Sequence, residues 1–139
     1  MLNLAKKKTN VHGVGKRKKA IARAFGKPGT GKVYVNNKLL DTIHPELIRM
    51  MIGEPMILAG STAKKLDIEV KVNGGGVWGQ ATAARQSIAE ILVQSDKNLK
   101  EKFLSYDRSL LKADPRRTEP HKPSRSRAGP RRHKQRSKR

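Results

Sequence analysis

The sequence predicts an α+β domain carrying a long basic tail, and three stretches support that prediction. Leu66-Asp67-Ile68-Glu69-Val70-Lys71-Val72 alternates apolar and polar side chains with a period of two, the pattern of a half-buried strand. Ala81, Ala84, Ile88, Ile91 and Leu92 recur at helical spacing after a glycine break at Asn73-Gly74-Gly75-Gly76. From Lys112 to Arg139 the composition changes: twelve Lys/Arg face two acids, Asp114 and Glu119, for a net charge of +10. Its only apolar side chains are two alanines, so folding alone would not offset the backbone entropy lost. Four prolines favour an extended path, and a dense polyanion is expected to give the tail its shape.

Residues 1–10 read as a basic arm, 11–111 as one globular domain and 112–139 as the tail. Val11 to Phe25 is strand-like, with Ala20, Ala22 and Ala24 on one side and Ile21, Arg23 and Phe25 on the other. A face of alanines admits a closely packed helix. Just before it, Lys16-Arg17-Lys18-Lys19 is expected to open a strand and send two cations to each face. The plain alternative for these cations is a solvated edge that resists aggregation. Pro28-Gly29-Thr30-Gly31 is a turn into a short strand, Lys32 to Val35, which ends at Asn36-Asn37; together they suggest a hairpin. Pro45 is placed as a first helical residue, and Leu47, Ile48, Met51 and Ile52 form a stripe closed by Gly53, a helix of about two turns. Glu54 to Leu58 adds at most one further turn, Ala59 to Lys65 carries no clear pattern, and a last helical stretch runs from about Asp96 to Tyr106.

Charge narrows the functional classes. The 139 residues include 32 Lys+Arg and 11 Asp+Glu, a formal charge of +21, which calls for nucleic acid or an anionic membrane as counter-charge. Residues 1–111 keep +11, so the basic character is not confined to the tail. With no cysteine there is neither a thiolate nucleophile nor a Cys-based zinc site. The N-terminus lacks the apolar run of a signal peptide, no stretch is long and apolar enough to span a bilayer, and the tail lacks the apolar face of an interfacial helix. A cytoplasmic protein is expected.

Two glycine motifs resemble nucleotide sites. Gly26-Lys27-Pro28-Gly29-Thr30-Gly31-Lys32 fits G-x-x-x-x-G-K, but Val33 follows where Ser or Thr would hold magnesium, and it opens a strand rather than a helix. Gly74-Gly75-Gly76-Val77-Trp78-Gly79 fits G-x-G-x-x-G between a strand and a helix. The next buried strand with its terminal acid is missing, although a loop of small residues at a helix start still suits close approach to a phosphate backbone. Four histidines lack metal-ligand spacing and the acids are scattered. The reading is therefore of a non-enzymatic protein with no cofactor, no metal and no small-molecule substrate.

Taken in order, the motifs resemble the small-subunit ribosomal protein S-nine family. The resemblance rests on Gly13-Val14-Gly15-Lys16-Arg17-Lys18-Lys19-Ala20-Ile21-Ala22-Arg23-Ala24, on Gly74 to Gln80 leading into Ala84-Arg85-Gln86-Ser87-Ile88-Ala89, and on the terminal Ser137-Lys138-Arg139. Ser105 to Leu111 followed by Asp114-Pro115-Arg116-Arg117 is similar to the archaeal and eukaryotic branch. The resemblance implies a sheet of about four strands packed against helices, with a left-handed β-α-β crossover like that of the second domain of ribosomal protein S-five. It further implies a structural place in the head of the small subunit, beside neighbouring head proteins, with the tail running through ribosomal RNA to the anticodon arm of peptidyl-site tRNA. Lys16, Arg17, Lys18, Lys19, Arg23, Arg116, Arg117, Lys122, Arg125, Arg127, Arg131, Arg132 and Lys134 are the implied rRNA contacts. Arg136, Ser137, Lys138 and Arg139 are the implied tRNA contacts. A DNA-compacting chromatin-type protein remains the alternative that shares the charge, and a nucleotide-dependent enzyme would have to use one of the glycine loops.

Overall fold

The structure is a computed structural model and describes residues 10–118 and 120. Its order is β1 (Val11–Arg17), β2 (Ala20–Pro28), β3 (Val33–Val35), β4 (Lys38–Leu39), α1 (Glu46–Ala59), β5 (Leu66–Asn73), α2 (Val77–Ser95) and α3 (Leu99–Tyr106). Short 3-10 turns lie at Leu40–Thr42, Ala63–Lys65 and Arg108–Leu110. The sheet has five strands in the order β1-β2-β5-β3-β4, one more than expected because β4 adds a two-residue edge. Only β3 and β5 run parallel; the other neighbours are antiparallel.

Two hairpins differ from the sequence reading. Val11 to Phe25 is two strands, which Lys18-Lys19 joins through a tight turn with Lys18 in the left-handed region at φ 54°. The turn lacks the glycine or asparagine that usually marks one, so the sequence pattern runs through it. The other hairpin closes through Asn36-Asn37, with φ of 48° and 66°, and pairs β3 with β4 rather than with β2. Asn36 also extends β5's pairing past the end of β3: its Oδ1 accepts from Val72 N–H at 2.9 Å and its Nδ2 donates to Val72 C=O at 3.2 Å.

The inner face of the sheet is built for close approach. Ala20, Ala22 and Ala24 are fully buried, and across from them Gly13 and Gly15 lie so near α2 that a Cβ would overlap the Ser87 and Ala83 carbonyls. The 19-residue α2 therefore rests on β1 and β2 almost backbone to backbone. Its periodicity suggests one apolar face, yet it is buried nearly all round, because α1 and α3 cover the sides that the sheet leaves open. Ile68, Val70, Ile88, Ile91, Leu92, Leu110 and Phe103 fill the core. Each large aliphatic so enclosed contributes about 2 kcal/mol of burial.

Helix α1 is longer than its pattern implies. It continues through Gly53 and Pro55 to Ala59 and ends at Gly60, whose N–H reaches Met56 C=O at 3.1 Å. Pro55 has no N–H to offer Met51, but its ring is buried in the core, and that packing carries the helix past a local breaker. Pro45 occupies the N-cap, one residue before the first helical position.

Candidate nucleic-acid interface

One corner of the domain gathers the features that the sequence shows separately. Lys16 and Arg17 end β1, and Lys18 and Lys19 form the turn into β2; they do not alternate across one strand, because the chain reverses between them. Lys16, Lys18 and Lys19 are exposed. The glycine loop after β5 packs against this turn. Gly74, at φ 78°, sits where a Cβ would press on the Lys19 carbonyl, so only glycine gives both the backbone turn and the approach. Gln80 Nε2 braces the loop by donating to Gly74 C=O at 3.1 Å. Gly76 is the N-cap of α2 and adds no capping side chain, so the positive end of a long helix faces the same corner as the lysine turn.

The root of the tail returns to this corner. Asp114 bridges to Arg17, with Arg17 Nη1 3.3 Å from Asp114 Oδ2 and donating to Arg116 C=O at 3.3 Å. Arg116 wraps the same carboxylate with Nε and Nη2 at 2.9 and 2.7 Å, and its N–H donates at 2.9 Å. These contacts from Arg116, joined by the charge of Arg17, lower the Asp114 pKa to about 2 and raise that of Arg116. Two of the predicted RNA cations thus hold the root of the tail, while Lys16, Lys18, Lys19, Arg23 and Arg117 point to solvent. Lys122, Arg125, Arg127, Arg131, Arg132, Lys134, Arg136, Ser137, Lys138 and Arg139 lie outside the described residues.

Arg85, within the second motif of the resemblance, has a different partner set. It is 8% exposed, with Nε 2.5 Å from Glu54 Oε2 in an ionic contact whose N–H is not aimed at the oxygen, and Nη2 2.8 Å from Asp107 Oδ2. Burial opposes the Asp107 carboxylate, but hydrogen bonds from the Ser109 N–H and hydroxyl and from Arg85 outweigh it and hold the pKa below 3.8. Tyr106 donates to Glu54 at 2.5 Å, a bond that raises the phenol's pKa. This network ties α1, α2 and the segment after α3 together, which fixes where the tail begins.

The G-x-x-x-x-G-K loop is turned inward. Asp67 Oδ1 accepts from Thr30 N–H at 2.7 Å and Lys32 N–H at 2.9 Å, so the amides that would cradle a phosphate already hold a carboxylate. The Lys32 and Thr30 amides lower the Asp67 pKa against a small cost of burial. Among the described residues no group of His, Asp and Glu is placed to hold a metal ion, and no helix is long and apolar enough to cross a membrane.

Sequence reasoning missed two surface features. Lys71 lies directly beside Arg23 on the outer face of the sheet, a neighbour that only the strand register reveals. An apolar groove of about 430 Å³ between α1, the first turn of α2 and Tyr106 exposes Leu47, Met50, Ile57 and Trp78, with Glu54 as its one charged lining residue. Exposure of an apolar stripe on α1 has no distinct sequence signal, because the buried Ile48 and Ile52 share the same periodicity.

The family model described as ribosomal protein S9/S16 matches residues 15–139. The chain is 50% identical over 129 residues to the small ribosomal subunit protein uS9 of Methanococcus maripaludis in two strains, S2 and C7, covering 91% of this chain and 96% of theirs. It is 49% identical to the protein of the same name from Methanococcus vannielii, with the same coverage. With the model matching nearly the whole chain and relatives aligned almost end to end, this chain belongs to the ribosomal protein S9/S16 family, as a member of its archaeal type.

Proposed function

We propose that the protein is a structural constituent of the small-subunit head in the cytoplasmic ribosome. It binds small-subunit rRNA through the lysine corner and carries its tail to peptidyl-site tRNA. The observation that carries this reading is the convergence of the Lys18-Lys19 turn, the open N-terminus of α2 and the Arg17–Asp114 root of the tail in one corner. Cations there neutralise phosphates and release condensed counterions, a contact that positions RNA without reading its sequence. Arg116, Arg117 and the later cations to Lys134 continue the rRNA contact, and Arg136, Ser137, Lys138 and Arg139 meet the anticodon arm. Arginine planes add stacking and forked hydrogen bonds that lysine does not.

The division into arm, domain and tail at residues 1–10, 11–111 and 112–139 belongs to the same reading, as does a left-handed crossover from β3 through α1 to β5. Neighbouring head proteins are assigned to the apolar groove beside α1, since a surface of this kind, without cations in a chain of charge +21, suits protein rather than RNA. No catalytic step, cofactor or metal is part of the function.

Small subunits reconstituted with a chain lacking residues 134–139 test the tail. They should assemble normally and bind peptidyl-site tRNA more weakly; unchanged tRNA affinity would refute the tRNA contact. Competition tests the rRNA contact: rRNA should displace duplex DNA from the full chain, and equal competition would favour the chromatin-type alternative.

A further inference from the structure

The face of the sheet turned away from the helices carries a second surface, which adjoins the corner described above at Lys19 and Gly74. Outward side chains of β1, β2 and β5 fall into rows across the strands: Lys16, Ile21 and Asn73; Val14, Arg23 and Lys71; His12, Phe25 and Glu69, with Tyr34 of β3 alongside. All are exposed or half-buried, unlike their neighbours on the inner face. A groove of about 500 Å³ runs across these rows. Ile21 and Phe25 line it with apolar surface, Lys19, Arg23 and Lys71 with charge, and Asn73 with an amide; no carboxylate lines it. His12 meets the Phe25 ring edge-on at 5.2 Å and fixes its position.

We propose that this groove seats an unpaired RNA segment of one or two nucleotides. A base would lie on Ile21 and Phe25, with its flanking phosphates against Lys19, Arg23 and Lys71 and its edge within reach of the Asn73 amide. The proposal rests on the rRNA-binding reading and adds to it a place and a chemical class of ligand. Charge complementarity selects the occupant: three cations and no acid call for an anion, and the apolar lining calls for a flat, weakly hydrated face. Unpaired RNA supplies both, whereas an RNA duplex presents phosphates and keeps its base faces stacked inside. Glu69 does not cancel the charge. Its contact with Lys71 is 3.8 Å long between two exposed side chains, and such pairs are readily exchanged for a phosphate. Lys19 belongs both to this groove and to the corner, so one RNA strand can run from one to the other without crossing uncharged surface.

The test uses the full chain and the Arg23→Gln/Lys71→Gln variant, whose exposed substitutions should leave the melting temperature unchanged. Binding is measured to a short oligouridylate, to an RNA duplex of equal length and to small-subunit rRNA. Ultraviolet crosslinks to the rRNA are mapped on the protein. The expected result is a crosslink within residues 20–28 and about a tenfold loss of oligouridylate affinity in the variant, the size of two lost phosphate contacts, with duplex binding little changed. Crosslinks confined to other segments, or a variant that binds oligouridylate as the parent does, would overturn the groove while leaving rRNA binding by the parent intact. Protection of this face by a neighbouring protein alone, with no RNA crosslink, would overturn it too. Failure of the parent chain to bind rRNA would overturn the groove and the wider reading together.

Discussion

Two glycine-rich loops in this protein look alike as text and differ in what faces them. The loop at 26–32 closes on Asp67, whose carboxylate takes the Thr30 and Lys32 amides, so its hydrogen-bonding capacity is used within the chain. The loop at Gly74-Gly75-Gly76 meets the Lys18-Lys19 turn and the start of α2, where the nearby charges are positive and the helix amides have no capping side chain. The same small residues therefore serve a closed structural turn at one end of β2 and an anion-ready corner at the other. What a glycine loop does is decided by the sign of the charge packed against it, and that charge arrives from a distant part of the sequence.

The contrast is broken most severely at Gly74. Gly74→Val places a branched side chain at φ 78° against the Lys19 carbonyl and should cost about 3 kcal/mol in denaturant unfolding, from left-handed strain plus overpacking. A loss below about 0.5 kcal/mol would mean that the loop does not pack on the turn. The next effect is on RNA. Lys18→Ala/Lys19→Ala should leave stability unchanged and lower rRNA affinity about tenfold, with the slope of log affinity against log salt shallower by about 1.5, two phosphate contacts' worth. An unchanged slope would take the turn out of the interface.

At the other loop, Asp67→Ala removes the shared acceptor and should cost about 1 kcal/mol, modest because water reaches the freed amides, with no change in rRNA affinity. A loss of RNA binding there would erase the distinction between the loops. The smallest effect is in pH. Asp67 has a folded pKa below its ordinary 3.8, so its stabilisation is complete above that value and is withdrawn as the pH falls through the lowered one. Acid titration of unfolding free energy should show this limb in the parent and a flatter one in Asp67→Ala. The Arg17–Asp114 contact persists further, since Asp114 protonates only near pH 2.

Where one side of an element is buried and its pattern is local, the sequence was sufficient. Leu66 to Val72 reads as a strand and is one, and the alanines of β2 announce the helix that covers them. Local reading failed where a residue acts against its type. Lys18 takes a left-handed conformation usually left to glycine or asparagine, which merged two strands into one, and Pro55 sits inside α1 because burial outweighs its missing donor. The candidate site was legible as a set of cations but not as an arrangement. That Arg17 pairs with Asp114, and that Lys71 stands beside Arg23, follow only from strand register and from the return of the chain after α3.

The chain has no cysteine, so one can be introduced at a chosen point to carry a tethered iron chelate that cleaves nearby RNA. Gly76→Cys marks the open corner, where a side chain has free space, and Thr30→Cys marks the loop closed on Asp67. In reconstituted small subunits, strong clustered cuts in the rRNA are expected from Gly76→Cys and weak or no cuts from Thr30→Cys. Equal cleavage from the two positions, or cleavage from Thr30→Cys alone, would contradict an RNA interface built on the lysine corner.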